Sequence, residues 1–117
     1  MIIGVATENG RVAEHFGRCP EYTLFKINGN QIKEQWVITN PGHKPGFLPG
    51  YLADIGVNLV MSGGMGQKAM ALFAEKNIET CTGVSGLVEN VVNSYLSGSL
   101  EPGMSKCDHQ YGGHSCD

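Results

Sequence analysis

The run Val57-Asn58-Leu59-Val60-Met61 passes through Ser62-Gly63-Gly64-Met65-Gly66 into a helical pattern from Gln67 to Lys76, and Ile78 to Cys81 then reads as a further short strand. A strand–helix–strand unit this short resolves almost always as a parallel pair joined by a right-handed crossover. The chain is thereby committed to a sheet with helices packed on it. A strand that turns through glycines into a helix exposes backbone N–H groups and the positive end of the helix dipole, which suits an anion. Glycine also lets a ligand approach the backbone closely. The same turn serves equally well as plain chain geometry.

The other segments fit around that unit. Ile2 to Ala6 is an apolar run with the character of a central strand. Thr7 to Pro20 is polar and loop-like. Glu21 to Ile27 reads as a strand with Tyr22 and Leu24 on one face and Thr23, Phe25 and Ile27 on the other. Asn28-Gly29 signals a hairpin, and Gln31 to Thr39 returns with Ile32, Trp36 and Ile38 in phase. Pro41-Gly42, Pro45-Gly46 and Pro49-Gly50 mark a loop carrying His43 and Lys44. A short helix follows, with Leu48, Leu52 and Ile55 on its buried side and Gly56 as its stop. In the helix after the glycine loop, Ala69, Leu72, Phe73 and Lys76 fall at helical spacing. Residues 86–96 give a third helix with Leu87, Val88, Val91, Val92, Tyr95 and Leu96 as its apolar stripe. The expected architecture is a mixed five-stranded sheet covered by about three helices. Residues 1–97 form one α/β domain, and residues 98–117 form a flexible tail rich in Gly, Cys and His.

Charge and composition narrow the partners. The net charge of -3 and the scattered basic residues do not suggest a nucleic-acid partner. No stretch approaches the roughly 20 apolar residues that cross a membrane, and the N-terminus lacks the basic flank of a signal peptide. A cytoplasmic protein with reduced thiols is expected, in which the four cysteines point to metal or redox chemistry more than to disulfides.

Several residues could carry chemistry. Cys107, His109, His114 and Cys116 form a Cys-x-His, His-x-Cys set, whose soft thiolates and imidazoles suit tetrahedral zinc, copper or iron. His15, Arg18 and Cys19 share the first long loop. Histidine and cysteine can ligate metal, and arginine can hold an anion; equally, Phe16 can anchor the loop while His15 caps a turn. Met65 could be a thioether ligand or an apolar wall, and Cys81 reads as a small buried hydrophobe. Loops 7–20, 40–48 and 62–66 can gather at one end of such a sheet. There is no phosphate-binding Gly-x-x-x-x-Gly-Lys-Ser/Thr element, no Gly-x-Ser-x-Gly elbow and no acid on the first strand, so three common enzyme classes find no support.

Ile2-Ile3-Gly4-Val5-Ala6, His15-Phe16-Gly17-Arg18, Tyr22 to Ile27, Leu52-Ala53-Asp54-Ile55-Gly56-Val57 and Gly63-Gly64-Met65-Gly66 with Ala69 together resemble the dinitrogenase iron–molybdenum cofactor biosynthesis family, the NifX-like and NifB-C-terminal-like small domains. The resemblance covers about residues 1–100. It implies a ribonuclease-H-like α/β fold without nuclease chemistry. It also implies an accessory protein, not an enzyme, that binds or carries a metal–sulfur cluster or its precursor, with molybdenum, iron or copper as the metal, and that meets a cluster-assembly or recipient protein. By this analogy the cluster sits among the loops near His15, Arg18, His43, Gly63, Gly64, Met65 and Gly66. The competing expectation is an interaction or regulatory module whose tail binds zinc or iron. Cys19 follows the His-Phe-Gly-Arg motif without being a ligand that the resemblance assigns.

Overall fold

The computed structural model describes residues 1–40, 47–98 and 106–108. The elements are β1 (Ile2–Glu8), β2 (Arg11–Val12), β3 (Glu21–Asn28), β4 (Gln31–Thr39), α1 (Phe47–Ile55), β5 (Leu59–Met61), α2 (Gln67–Glu75), β6 (Glu79–Thr82), α3 (Val88–Ser97) and β7 (Lys106–Asp108). They build one mixed sheet in the order β4-β3-β1-β5-β6-β7, with the two-residue β2 folded back on β1. β1, β5 and β6 run parallel, while β3 is antiparallel to both β1 and β4. The strand–helix–strand unit at 57–81 thus forms as its pattern predicts, and it places β5 against β1.

Alternation along the strands divides the core between the two faces. Ile3, Val5, Phe25, Ile27, Leu59, Met61 and Cys81 pack with Val88, Val91 and Val92 of α3. Leu24 and Val60 pack with Leu52 of α1 and Phe73 of α2 on the opposite face. Both faces of β1 are buried because helices cover both sides, which explains why its first half reads as a continuous apolar run. α1 ends where Gly56 takes φ +105° and its N–H donates to the carbonyls of Leu52 and Ala53. That left-handed conformation strains any other residue, so the helix stops there.

Several expectations need correction. Pro49-Gly50, read as part of a loop, lies within α1, where a proline in the first turn leaves no intrahelical bond unmade. The first strand runs on past Ala6 to Glu8, so it does carry an acid, at its exposed end. Ile32 is not in phase with Trp36 and Ile38: the β3–β4 register shifts between Lys26 and Ile27, pairing Ile27 with Ile32 but Lys26 with Glu34. The bulge inserts one residue into β4 and so turns Ile32 to the α3 face, away from Trp36 and Ile38 on the α1/α2 face. Leu87 is 46% exposed, because it is the extended N-cap of α3 (φ -67°, ψ 136°) and not part of its stripe. Cys81 is fully buried, as its sequence context suggests, but it is disulfide-bonded where reduced thiols were expected. No described helix is long and apolar enough to cross a membrane.

Candidate functional site

Because β1, β5 and β6 are parallel and β4 runs with them, the connections that leave β1, β5 and β6 emerge at one end of the sheet, the end where β4 also finishes. Backbone hydrogen bonds lace them together there. The Gly63 N–H donates to the Ala13 carbonyl at 2.9 Å, the Phe16 N–H to the Gly64 carbonyl at 2.9 Å, and the Gly83 N–H to the Gly63 carbonyl at 2.9 Å. His15 and Gly64 pair as a parallel bridge. The Val12 N–H donates to Gly86 at 2.8 Å and the Val88 N–H to Gly10 at 3.1 Å. Beyond β4, the Asn40 side-chain amide donates to the carbonyls of Gly17 at 3.1 Å and Cys19 at 2.7 Å.

The close approach of the first loop to the glycine loop depends on a missing side chain. A Cβ at Gly63 would lie 2.9 Å from the Glu14 Cα and 3.2 Å from the Ala13 carbonyl oxygen. Both are backbone atoms, so neither can swing aside. Beneath this contact Phe16 is wedged between Tyr22 and Phe73, each ring centroid 5.2 Å away, with Phe73 edge-on. Such ring pairs add about 0.5–1.5 kcal/mol beyond burial. Phe16 therefore anchors the loop while His15 and Arg18 on either side stay exposed.

Met65 is half-buried and packs on the α1/α2 core. Gly66 is the N-cap of α2 and supplies no side-chain cap, and the first turn holds no acid. Among the described residues, the N–H groups of Met65, Gly66 and Gln67 carry no hydrogen bond. The positive end of α2 is thus left uncompensated beside the His15–Gly64 bridge. A neighbouring hollow of about 340 Å³ is lined by Arg11, His15 and Arg18 together with Glu8 and Glu14.

Cys19 is a free thiol, 4% exposed, packed with Ala6, Ala13, Tyr22 and Leu48. Among the described residues, the buried Tyr22 hydroxyl beside it has no hydrogen-bond partner. Burial, then the Cys19 thiol, push the Tyr22 phenol well above its ordinary range. Above about pH 10 the unfolded chain releases this proton and the folded one keeps it, so stability falls as pH rises. The expected slope is up to about 1.4 kcal/mol per pH unit. Urea titrations at pH 9, 10 and 11 should show this slope, and Tyr22→Phe should flatten it.

His43, His109, His114 and Cys116 lie outside the described residues, and Cys107 is placed through its strand alone. Among the described residues, no three His, Cys, Asp or Glu side chains come close enough to hold a metal ion. The role of Asn40 in fastening the first loop gave no signal in the sequence, since an asparagine at a strand end reads as a turn residue.

These features define a small α/β protein whose connecting loops gather at the carboxyl ends of its parallel strands. The chain belongs to the dinitrogenase iron-molybdenum cofactor family, which it matches over residues 1–98. A curated relative, the uncharacterized protein MJ0580 of Methanocaldococcus jannaschii, is 28% identical over 106 residues, spanning 86% of this chain and 90% of the relative. The crystal structure of PH0822 shares the fold with a TM-score of 0.80 at 27% identity, over 94% of this chain and 96% of that one. The apo form of the orange protein from Desulfovibrio gigas gives a TM-score of 0.70 at 22% identity, over 86% and 90% of the two chains.

Proposed function

We propose that this protein is a non-catalytic accessory of cofactor assembly that binds a preformed metal–sulfur cluster, or its precursor, and passes it to a recipient protein in the cytoplasm. The observation that carries this reading is the uncapped, acid-free N-terminus of α2 set beside the exposed His15 and Arg18. Molybdenum–sulfur clusters, with iron or copper as the second metal, are polyanions with soft sulfur surfaces. Backbone N–H groups and a guanidinium donate to such an anion without competing for the metal. In this cradle the N–H groups of Met65 and Gly66 are offered to the cluster, Gly64 holds the loop close against the first loop, and Arg18 neutralises the charge. His15 donates a hydrogen bond or takes an open metal position. Gly63 contributes by its smallness, since its own N–H is already given to Ala13. Family membership supports a link to this cofactor chemistry, and the cradle supports a cargo held mainly by charge.

The test is anaerobic titration of the full-length protein with tetrathiomolybdate, alone and with ferrous or cuprous ion. The readouts are the visible spectrum and the metal and sulfide content after gel filtration. About one cluster per chain is expected. Arg18→Gln should weaken binding by about tenfold to a hundredfold, the usual worth of a charge-assisted hydrogen bond, with unchanged thermal stability. Binding that is indifferent to Arg18→Gln and His15→Asn, and is lost only on removing residues 109–117, would overturn the loop cradle. It would favour a zinc- or iron-type tail site built on Cys107, His109, His114 and Cys116.

A further inference from the structure

We propose that Cys81 and Cys107 form a reversible disulfide that clasps the C-terminal strand to the rim of the sheet. Cys81 is disulfide-bonded while Cys19 is free, which leaves Cys107 and Cys116 as partners. The strand register decides between them. β7 runs antiparallel to β6, with Cys107 directly opposite Cys81, flanked by the pairs Thr80–Asp108 and Thr82–Lys106. Directly opposed residues share one face of a sheet, with Cα atoms roughly 4.5–5.5 Å apart. That interval falls inside the span of about 4.4–6.8 Å that a disulfide bridges. Cys116 lies outside the described residues.

The clasp also answers a question of stability. β7 is a three-residue strand, Lys-Cys-Asp, set against the four residues of β6. So short a pairing brings little apolar surface and few hydrogen bonds, and is marginal by itself. A covalent link at its central residue closes the segment containing α3 into a ring and makes the pairing persist.

The oxidant is a low-molecular-weight disulfide, R–S–S–R. The Cys107 thiolate, on the outermost strand, attacks one oxidant sulfur, forming a mixed disulfide and expelling R–S⁻. Cys81 then loses its proton, and its thiolate attacks the Cys107 sulfur and expels the second R–S⁻. The two protein thiols lose two protons and two electrons, which leave with the oxidant as two R–SH. Thiol excess drives the reverse. A sulfur held in this bond is not a thiolate, so oxidation also withdraws Cys107 from the Cys-x-His pair of the tail.

The full-length protein is equilibrated in glutathione buffers from fully reduced to fully oxidised, acid-quenched, unfolded, alkylated and mapped by mass spectrometry. A Cys81–Cys107 cross-linked peptide is expected to grow with the oxidised fraction. In parallel, amide exchange across residues 79–82 should slow by tenfold or more on oxidation. Cys107→Ser should abolish the cross-link and leave exchange fast in both buffers. A Cys107–Cys116 bond with Cys81 alkylated would overturn the proposal. So would exchange at 79–82 that is equal in the two redox states.

Discussion

Phe73→Ala should destabilise the protein by about 3–5 kcal/mol, the cost of deleting a buried aromatic ring from a core that closes only partly around the void. Phe73 is fully buried, lies at the centre of the core on the α1/α2 face, and meets Phe16 edge-on. Domains of this size are stable by roughly 5–15 kcal/mol, so the loss takes a large share of the total. Urea denaturation should report a lower midpoint with an unchanged slope. Phe73→Leu, which keeps most of the volume, should cost less than half as much. The substitution also removes the floor on which Phe16 rests, so cluster affinity should fall even at temperatures where the variant remains folded. An affinity equal to that of the parent protein under those conditions would show that the first loop is held by its backbone bonds alone.

Gly63→Ala is expected to cost about 1–3 kcal/mol by overpacking. It differs from an ordinary core change because the atoms it meets are backbone atoms of Ala13 and Glu14. Relief requires the first loop to lift from the glycine loop, breaking the Gly63–Ala13 and Phe16–Gly64 hydrogen bonds together. Amide exchange at Phe16 and Gly63 should therefore rise far more than at residues of β3, and cluster binding should fall in step. Gly66→Ala is the matched control. Nothing lies within 4 Å of a Cβ there, and its φ of -67° suits any residue. That variant should lose only the modest preference for glycine over alanine at an N-cap. Equal exchange profiles for the two variants would mean that the loop contact is not set by the absence of a side chain at residue 63.

Period and punctuation made most of the fold legible. The apolar runs at 2–6 and 57–61, the Asn28-Gly29 turn signal, the helical spacing of Val88, Val91 and Val92, and the stop at Gly56 are each local signals, and each has its counterpart in the structure. What escaped depends on partners remote in sequence. The β4 bulge lies in a polar stretch, Lys33-Glu34-Gln35, with no glycine to announce it, and only pairing with β3 reveals the shift. β7 is too short and too polar to show a period. Leu87 counts as a helical apolar residue by spacing alone, but its extended backbone and its bridge to Arg11 take it off the helix face. Within the candidate site, the motifs His15-Phe16-Gly17-Arg18 and Gly63-Gly64-Met65-Gly66 stood out as residue types. That Phe16 is the anchor, that Gly63 marks the point of closest approach, and that Asn40 fastens Gly17 and Cys19 are facts of three-dimensional contact.

The bulge in β4 bears on how the protein behaves among its own copies. β4 is the outer strand on its side of the sheet, nine residues long, with Val37 54% exposed. A flat strand of that kind is a template on which another chain can add hydrogen bonds in continuous register. The extra residue breaks the even spacing of outward donors and acceptors near Lys33, so an incoming strand in register with one half of β4 is out of register with the other. Exposed Lys33 and Glu34 at the break add a desolvation cost to any such addition. An irregularity that looks like a packing accommodation for Ile32 thereby also discourages colloidal self-assembly along the outer edge of β4.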